Sequence, residues 1–125
     1  MKNRKIELLA PAGSLDRLKW AFDYGADAVY IGGRNFSLRA NATNFSLDEI
    51  KEACEYAHKL GKKVYVTVNI IFHKEDYLEL ENYLRVLASY KVDAIIVADI
   101  FILDLVKKLN IKLPVHISTQ SSSMN

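Results

Sequence analysis

The chain has 125 residues, half of them hydrophobic, with 17 Lys+Arg against 15 Asp+Glu, three His and a single Cys. That length suits one small domain, and a net charge of +2 by itself points neither to nor away from nucleic acid. One Cys makes no internal disulfide and no multi-cysteine metal site, which fits a reducing cytoplasm. No apolar run approaches the ~18 residues of a membrane span, and the basic start Met1–Lys5 is followed by too short an apolar patch for a signal peptide.

In chain order, Ile6–Ala10 reads as a short buried strand stopped by Pro11-Ala12-Gly13. Ser14 caps a helix that runs to Tyr24, with Gly25 as its stop and Leu18, Ala21 and Phe22 on one face. Ala26–Ile31 is the second strand, ended by Gly32-Gly33. Ser46-Leu47-Asp48-Glu49 is a capping box, flanked by Phe45 and Ile50 at the staple positions. It opens a helix with the stripe Ile50, Ala53, Cys54, Ala57 that ends at Gly61. Lys63–Val68 is the third strand. A helix over Asp76–Tyr90, a strand over Ala94–Ala98, a short helix carrying Ile102, Leu105, Val106 and Leu109, and a strand over Pro114–Ser118 complete the series.

The segment Tyr24–Ile31 repeats in character as Tyr90–Val97, two strand–helix units further on. Repeating strand–helix units with short loops build a parallel sheet, open or closed into a barrel. Asp27 and Asp93 fall at the amino ends of their strands, where such folds place stabilising residues. The expectation is an α/β fold of TIM-barrel type, about half a barrel, with five parallel strands and four helices. A closed barrel takes about 250 residues, so residues 1–125 read as one N-terminal half, a fragment completed by further chain or by a second copy.

The blocks Glu7–Ser14, Gly25–Gly33, Phe36–Ala40, Tyr65–Ile70, Val97–Asp99 and His116–Gln120 together resemble the N-terminal part of the U32 peptidases, the collagenase-like proteases. The resemblance implies a TIM-like barrel and two accounts of activity. One is proteolysis of a peptide, the activity that names the family. The other is hydroxylation of transfer RNA, ribosomal RNA or ubiquinone precursors by members that carry an iron–sulfur cluster on four cysteines. The RNA-modifying branch is linked to prephenate. The cysteine signature lies beyond this segment, so no cofactor is expected in these residues and a cluster is expected only at full length. The chain by itself is expected to be catalytically silent, and its open edge strands invite self-association.

Function in such barrels gathers at the carboxyl ends of strands. Alternation puts Tyr65, Thr67 and Asn69 on one strand face, with Val64, Val66 and Val68 on the other. The valines suit the helix side, so the polar set points inward. His116, Ser118 and Gln120 share a face in the last strand. Glu7, an acid in an apolar strand, needs a partner, with Arg39 or His116 in reach, and Glu7 with His116 is the catalytic candidate. Ser118 lacks a nucleophile elbow and is read as substrate-binding with Arg34, Arg39, Asn69, Asp99 and Gln120. In the loop Gly32–Asn41, Arg34 and Arg39 suit a carboxylate or phosphate. His58, His73 and His116 lack a zinc-binding spacing, and the pairs Lys62-Lys63 and Lys107-Lys108 read as solvated charges near helix ends.

Overall fold

A computed structural model describes residues 7–36, 45–70, 77–98 and 100–117. The elements alternate as β1 (Leu9–Ala12), α1 (Leu15–Asp23), β2 (Ala28–Phe36), α2 (Leu47–Lys59), β3 (Lys63–Ile70), α3 (Tyr77–Ser89), β4 (Ala94–Val97), α4 (Ile100–Lys108) and β5 (Val115–Ile117). The five strands form one sheet in the order β1-β2-β3-β4-β5, every neighbouring pair parallel.

All four helices lie on one face of that sheet. Leu18 and Phe22 of α1, Ile50, Ala53, Cys54 and Ala57 of α2, Leu80, Leu84 and Leu87 of α3, and Ile102, Leu105 and Val106 of α4 share a single buried cluster with Val29, Val64, Val66, Val68 and Ile95. An open doubly wound sheet would place helices on both faces. Sequential strand order with one covered face is instead the arrangement of a barrel wall, here five strands of it. The other face carries a smaller cluster of Ala28, Tyr65 and Ala94, flanked by Tyr30 and Ile96. The inward assignment of Tyr65 and the outward assignment of the valines therefore hold.

The helix starts follow from the caps. The Ser14 hydroxyl accepts from the Arg17 N–H at 3.2 Å. At α2 the reciprocal box is complete: Glu49 N–H donates to Ser46 Oγ at 3.2 Å, and Ser46 N–H donates to Glu49 Oε1 at 2.9 Å. Phe45 and Ile50 are both buried around it. Each helix ends on a left-handed residue: Gly25 (φ 104°), Gly61 (φ 74°), Lys91 (φ 64°) and Asn110 (φ 57°). After each, the next N–H reaches back five residues, in Ala26 to Ala21 O, Lys62 to Ala57 O, Val92 to Leu87 O and Ile111 to Val106 O. One turn geometry, used four times, feeds the chain back into the sheet.

Three boundaries differ from the sequence reading. The β1 ladder begins at Leu9 paired with Ala28, so Glu7 precedes the strand, is exposed, and is not an acid within it. β1 continues through Pro11, which an edge strand tolerates because its missing N–H takes no ladder bond. β2 does not stop at Gly32-Gly33 but runs to Phe36, with a register shift between Gly32 and Asn35. The glycines mark a bulge in a strand rather than its end.

Candidate functional site

The helix-free face is built by register. Tyr30 of β2, Tyr65 of β3 and Ala94 of β4 lie level with one another, and Ile96 of β4 lies level with Thr67 on one side and His116 on the other. The Tyr65 ring meets the His116 ring edge-on, centroids 5.5 Å apart and planes at 62°, with the small Ala94 level with Tyr65 on the strand between them. The Tyr65 hydroxyl donates to Glu7, at 3.4 Å from Oε1 and 3.3 Å from Oε2. Thr67 Oγ1 donates to Ile31 O at 3.3 Å, tying β3 to β2 one step nearer the carboxyl end.

Tyr65 is thus the joint of this face. Burial pushes its pKa above the ordinary phenol value, and the Glu7 carboxylate, by charge and by hydrogen bond, pushes it the same way, with a contribution from Asp93. The phenol stays protonated and serves as a fixed donor. The catalytic candidates Glu7 and His116 are brought to the same side chain, Glu7 to its hydroxyl and His116 to its ring. Glu7 accepts a hydrogen bond from the Tyr65 hydroxyl, whereas His116 meets the ring of Tyr65; the other expected partner, Arg39, lies outside the described residues. Glu7 sits at the amino ends of the strands and His116 is exposed on the edge strand.

Among the substrate-binding candidates, Arg34 and Asn69 lie in the carboxyl-terminal stretches of β2 and β3, where Asn35 pairs with Asn69. Arg39, Asp99, Ser118 and Gln120 lie outside the described residues. Sequence reasoning placed Tyr65 on the correct face without marking it as the joint. The available signal was the Tyr-x-Thr-x-Asn alternation against three valines.

The amino ends of the strands carry a second pattern. Asp27 N–H donates to Leu8 O at 2.8 Å while Leu8 N–H donates to Asp27 Oδ2 at 2.9 Å. Asp93 N–H donates to Val64 O at 3.1 Å while Val64 N–H donates to Asp93 Oδ2 at 2.8 Å. Each Asp clips its own strand to the preceding one by two bonds. Asp93 also lies 2.9 Å from His58 Nε2, and Asp27 lies 3.8 Å from Lys62 Nζ. Cys54, one helical turn before His58, is 1% exposed. Burial first, then the charges of Asp93 and Glu55, push its thiol up to about 12. A thiol so protonated is no nucleophile at neutral pH. A single buried Cys also does not fit a four-cysteine cluster, and no metal-ligating group of three or more His, Cys, Asp or Glu occurs among the described residues. No described helix is long and apolar enough to cross a membrane.

Known proteins resemble this chain in sequence and in fold. The sequence profile of Peptidase family U32 matches residues 13–125. The chain is 50% identical over 122 residues to the tRNA hydroxylation protein P1 of Bacillus subtilis, an alignment covering 98% of the chain and 29% of that protein. It is 42% identical over 120 residues to an uncharacterized protease of Methanocaldococcus jannaschii, covering 96% of the chain and again 29% of the relative. The solved structure of a U32 peptidase superposes with a TM-score of 0.68 at 18% identity, over 94% of this chain and 51% of that one. That likeness confirms the α/β fold of five parallel strands and four helices. The chain spans under a third of the length of these two relatives. By the profile match and these identities, the chain belongs to peptidase family U32.

Proposed function

We propose that this chain is the N-terminal barrel portion of an RNA hydroxylation factor, acting on transfer RNA, rather than of a protease. The observation that carries the reading is the 50% identity, spread over 98% of the chain, to a tRNA hydroxylation protein. The chemistry of the described residues agrees with it. The sole thiol is buried and protonated, His58 is engaged by Asp93, and the Tyr65 hydroxyl is committed to Glu7. None of these is an activated nucleophile of the kind peptide hydrolysis by Cys or Ser demands. In this reading the half-barrel supplies a wall of the binding site through the carboxyl ends of β2 and β3. Any iron–sulfur cluster takes its cysteines from outside these residues.

The test is complementation. The protein at its full natural length is expressed in a B. subtilis strain lacking its own tRNA hydroxylation proteins P1 and P2, and bulk tRNA is digested and read by mass spectrometry. Return of the hydroxylated nucleoside is expected. Its continued absence from a strain that expresses the folded protein, alongside cleavage of gelatin or casein by the purified protein, would restore the peptidase reading.

A further inference from the structure

The strand–helix repeat sorts charge along the axis of the sheet. The first turns of the helices, at the carboxyl ends of the strands, carry Asp16 on α1, Asp48 and Glu49 on α2, and Glu79 on α3. The opposite end gathers lysines, beside the carboxylates of Glu7, Asp27 and Asp93. Lys107 and Lys108 close α4, Lys112 and Lys91 lie in the turns that lead into β5 and β4, and Lys63 opens β3. All five are exposed. Because β3, β4 and β5 are adjacent, their amino ends lie within about 10 Å of one another at ordinary strand spacing, and α4 ends beside β5. The carboxylates described there are each engaged: Asp93 by the Val64 N–H and His58, Asp27 by the Leu8 N–H and Lys62, and Glu7 by the Tyr65 hydroxyl, with Asp27 and Glu7 lining the same recess as Lys63. None of the five lysines is in an ion pair among the described residues.

Helix dipoles explain part of this pattern, since cations are favoured in a last turn. They account for Lys107 and Lys108. They do not account for Lys63 and Lys112, which open or precede strands, and still less for Lys91. At φ 64° Lys91 holds a left-handed position that the matching turns after α1 and α2 give to Gly25 and Gly61. A side chain kept where backbone geometry favours none is a functional signal.

We infer that the amino-end rim formed by Lys63, Lys91, Lys107, Lys108 and Lys112 is a docking surface for the phosphate backbone of a structured RNA, remote from the carboxyl-end face where barrel chemistry occurs. This rests on the RNA reading above and extends it. The rim holds the body of the RNA by charge, while the nucleotide being modified reaches the carboxyl-end face. Backbone contacts of this kind fix position without reading sequence.

The experiment measures binding of unfractionated tRNA to the protein at its full natural length by fluorescence anisotropy across a salt series. The variant carries Lys63→Gln, Lys107→Gln, Lys108→Gln and Lys112→Gln. Affinity is expected to fall at least tenfold near physiological salt. The slope of log K against log salt is expected to drop by about three, because every phosphate no longer neutralised takes about 0.7–0.9 off the slope. Lys108→Glu alone, at an exposed position, gives a smaller decrease in the same direction and serves if the quadruple variant is unstable. Lys51→Gln, on the outer side of α2, leaves binding unchanged. Unaltered affinity and slope in folded variants of a protein that still restores tRNA hydroxylation would overturn the rim and leave the RNA reading standing. A wild-type protein that neither binds tRNA nor restores hydroxylation would overturn both.

Discussion

Lys91 is the residue whose backbone and side chain pull in opposite directions. A left-handed conformation costs a residue with a Cβ about 1 kcal/mol or more relative to glycine, and the φ of 64° at Lys91 is fully in that region. Lys91→Gly is therefore expected to raise the unfolding free energy by about 1 kcal/mol in urea melts, and at the same time to weaken tRNA binding. A stability gain with undiminished binding would leave Lys91 without a role in the rim. The same residue shows what a sequence conceals. Gly25 and Gly61 announce their turns, whereas Tyr90-Lys91-Val92 carries no turn signature and is recognisable only as a copy of Tyr24-Gly25-Ala26. Glu7 misled in the opposite sense. It follows an apolar Ile and precedes two Leu, so it reads as strand, but the ladder cannot begin until Leu9 because Leu8 is already held by Asp27. The Tyr65 hydroxyl that meets Glu7 is 58 positions away in sequence, beyond the reach of any local pattern.

At the scale of elements, the two-bond clip at the starts of β2 and β4 is the unit that the internal repeat encodes. Asp27 and Asp93 were legible as structural because they recur at the same place, directly before a strand that opens on Ala, and the geometry gives the reason. The two clips differ in weight. Asp93 serves an interior strand, accepts a part-buried N–H and engages His58 at 2.9 Å, whereas Asp27 serves the edge strand β1, accepts an exposed N–H and meets Lys62 only at 3.8 Å. Asp93→Ala is expected to cost about 2 kcal/mol, as hydrogen bonds to a charged acceptor do, and Asp27→Ala about half of that. Asp93→Asn keeps an acceptor for Val64 N–H and should recover part of the stability. Equal costs for the two alanine variants in urea melts would mean that the clips act only as turn residues. Helix existence, caps and core stripes were legible because capping chemistry and the 3.6-residue period are local. The run of β2 through Gly32-Gly33 was not, because a glycine pair breaks a strand or bulges it according to the partner strand, and β3 pairs with both sides of the bulge.

For the molecule as a whole, a barrel wall of five strands has two edges, and the β1 edge is the more apolar. Leu8, Pro11, Arg17, Trp20, Ala21 and Tyr24 line a groove of about 580 Å³ between β1 and the flank of α1 that faces away from α2. Trp20 is 65% exposed and Tyr24 77%, their rings 5.2 Å apart. On its other flank α1 packs against α2, with Phe22 near Tyr56. The bare flank is thus the place a next helix of the ring would take, and β1 the edge a next parallel strand would extend. The sequence could announce half a barrel by its repeats, but not this groove, since an exposed Trp is visible only once the helix has chosen which face to bury. In the isolated 125-residue chain a second copy is the available cover, its β5 edge set beside β1 so that strands stay parallel. Trp20 is the only tryptophan, so its emission reports on the groove directly. On raising the concentration of the isolated chain, Trp20 emission should shift to the blue and resist acrylamide as light scattering moves from monomer to dimer mass. Leu8 is 55% exposed, so Leu8→Lys leaves the core intact, keeps the reporter and places a charge in the groove. It should hold the chain monomeric with Trp20 open to quencher at every concentration. A wild-type chain that stays folded, monomeric and quenchable throughout would show that this edge does not pair with itself.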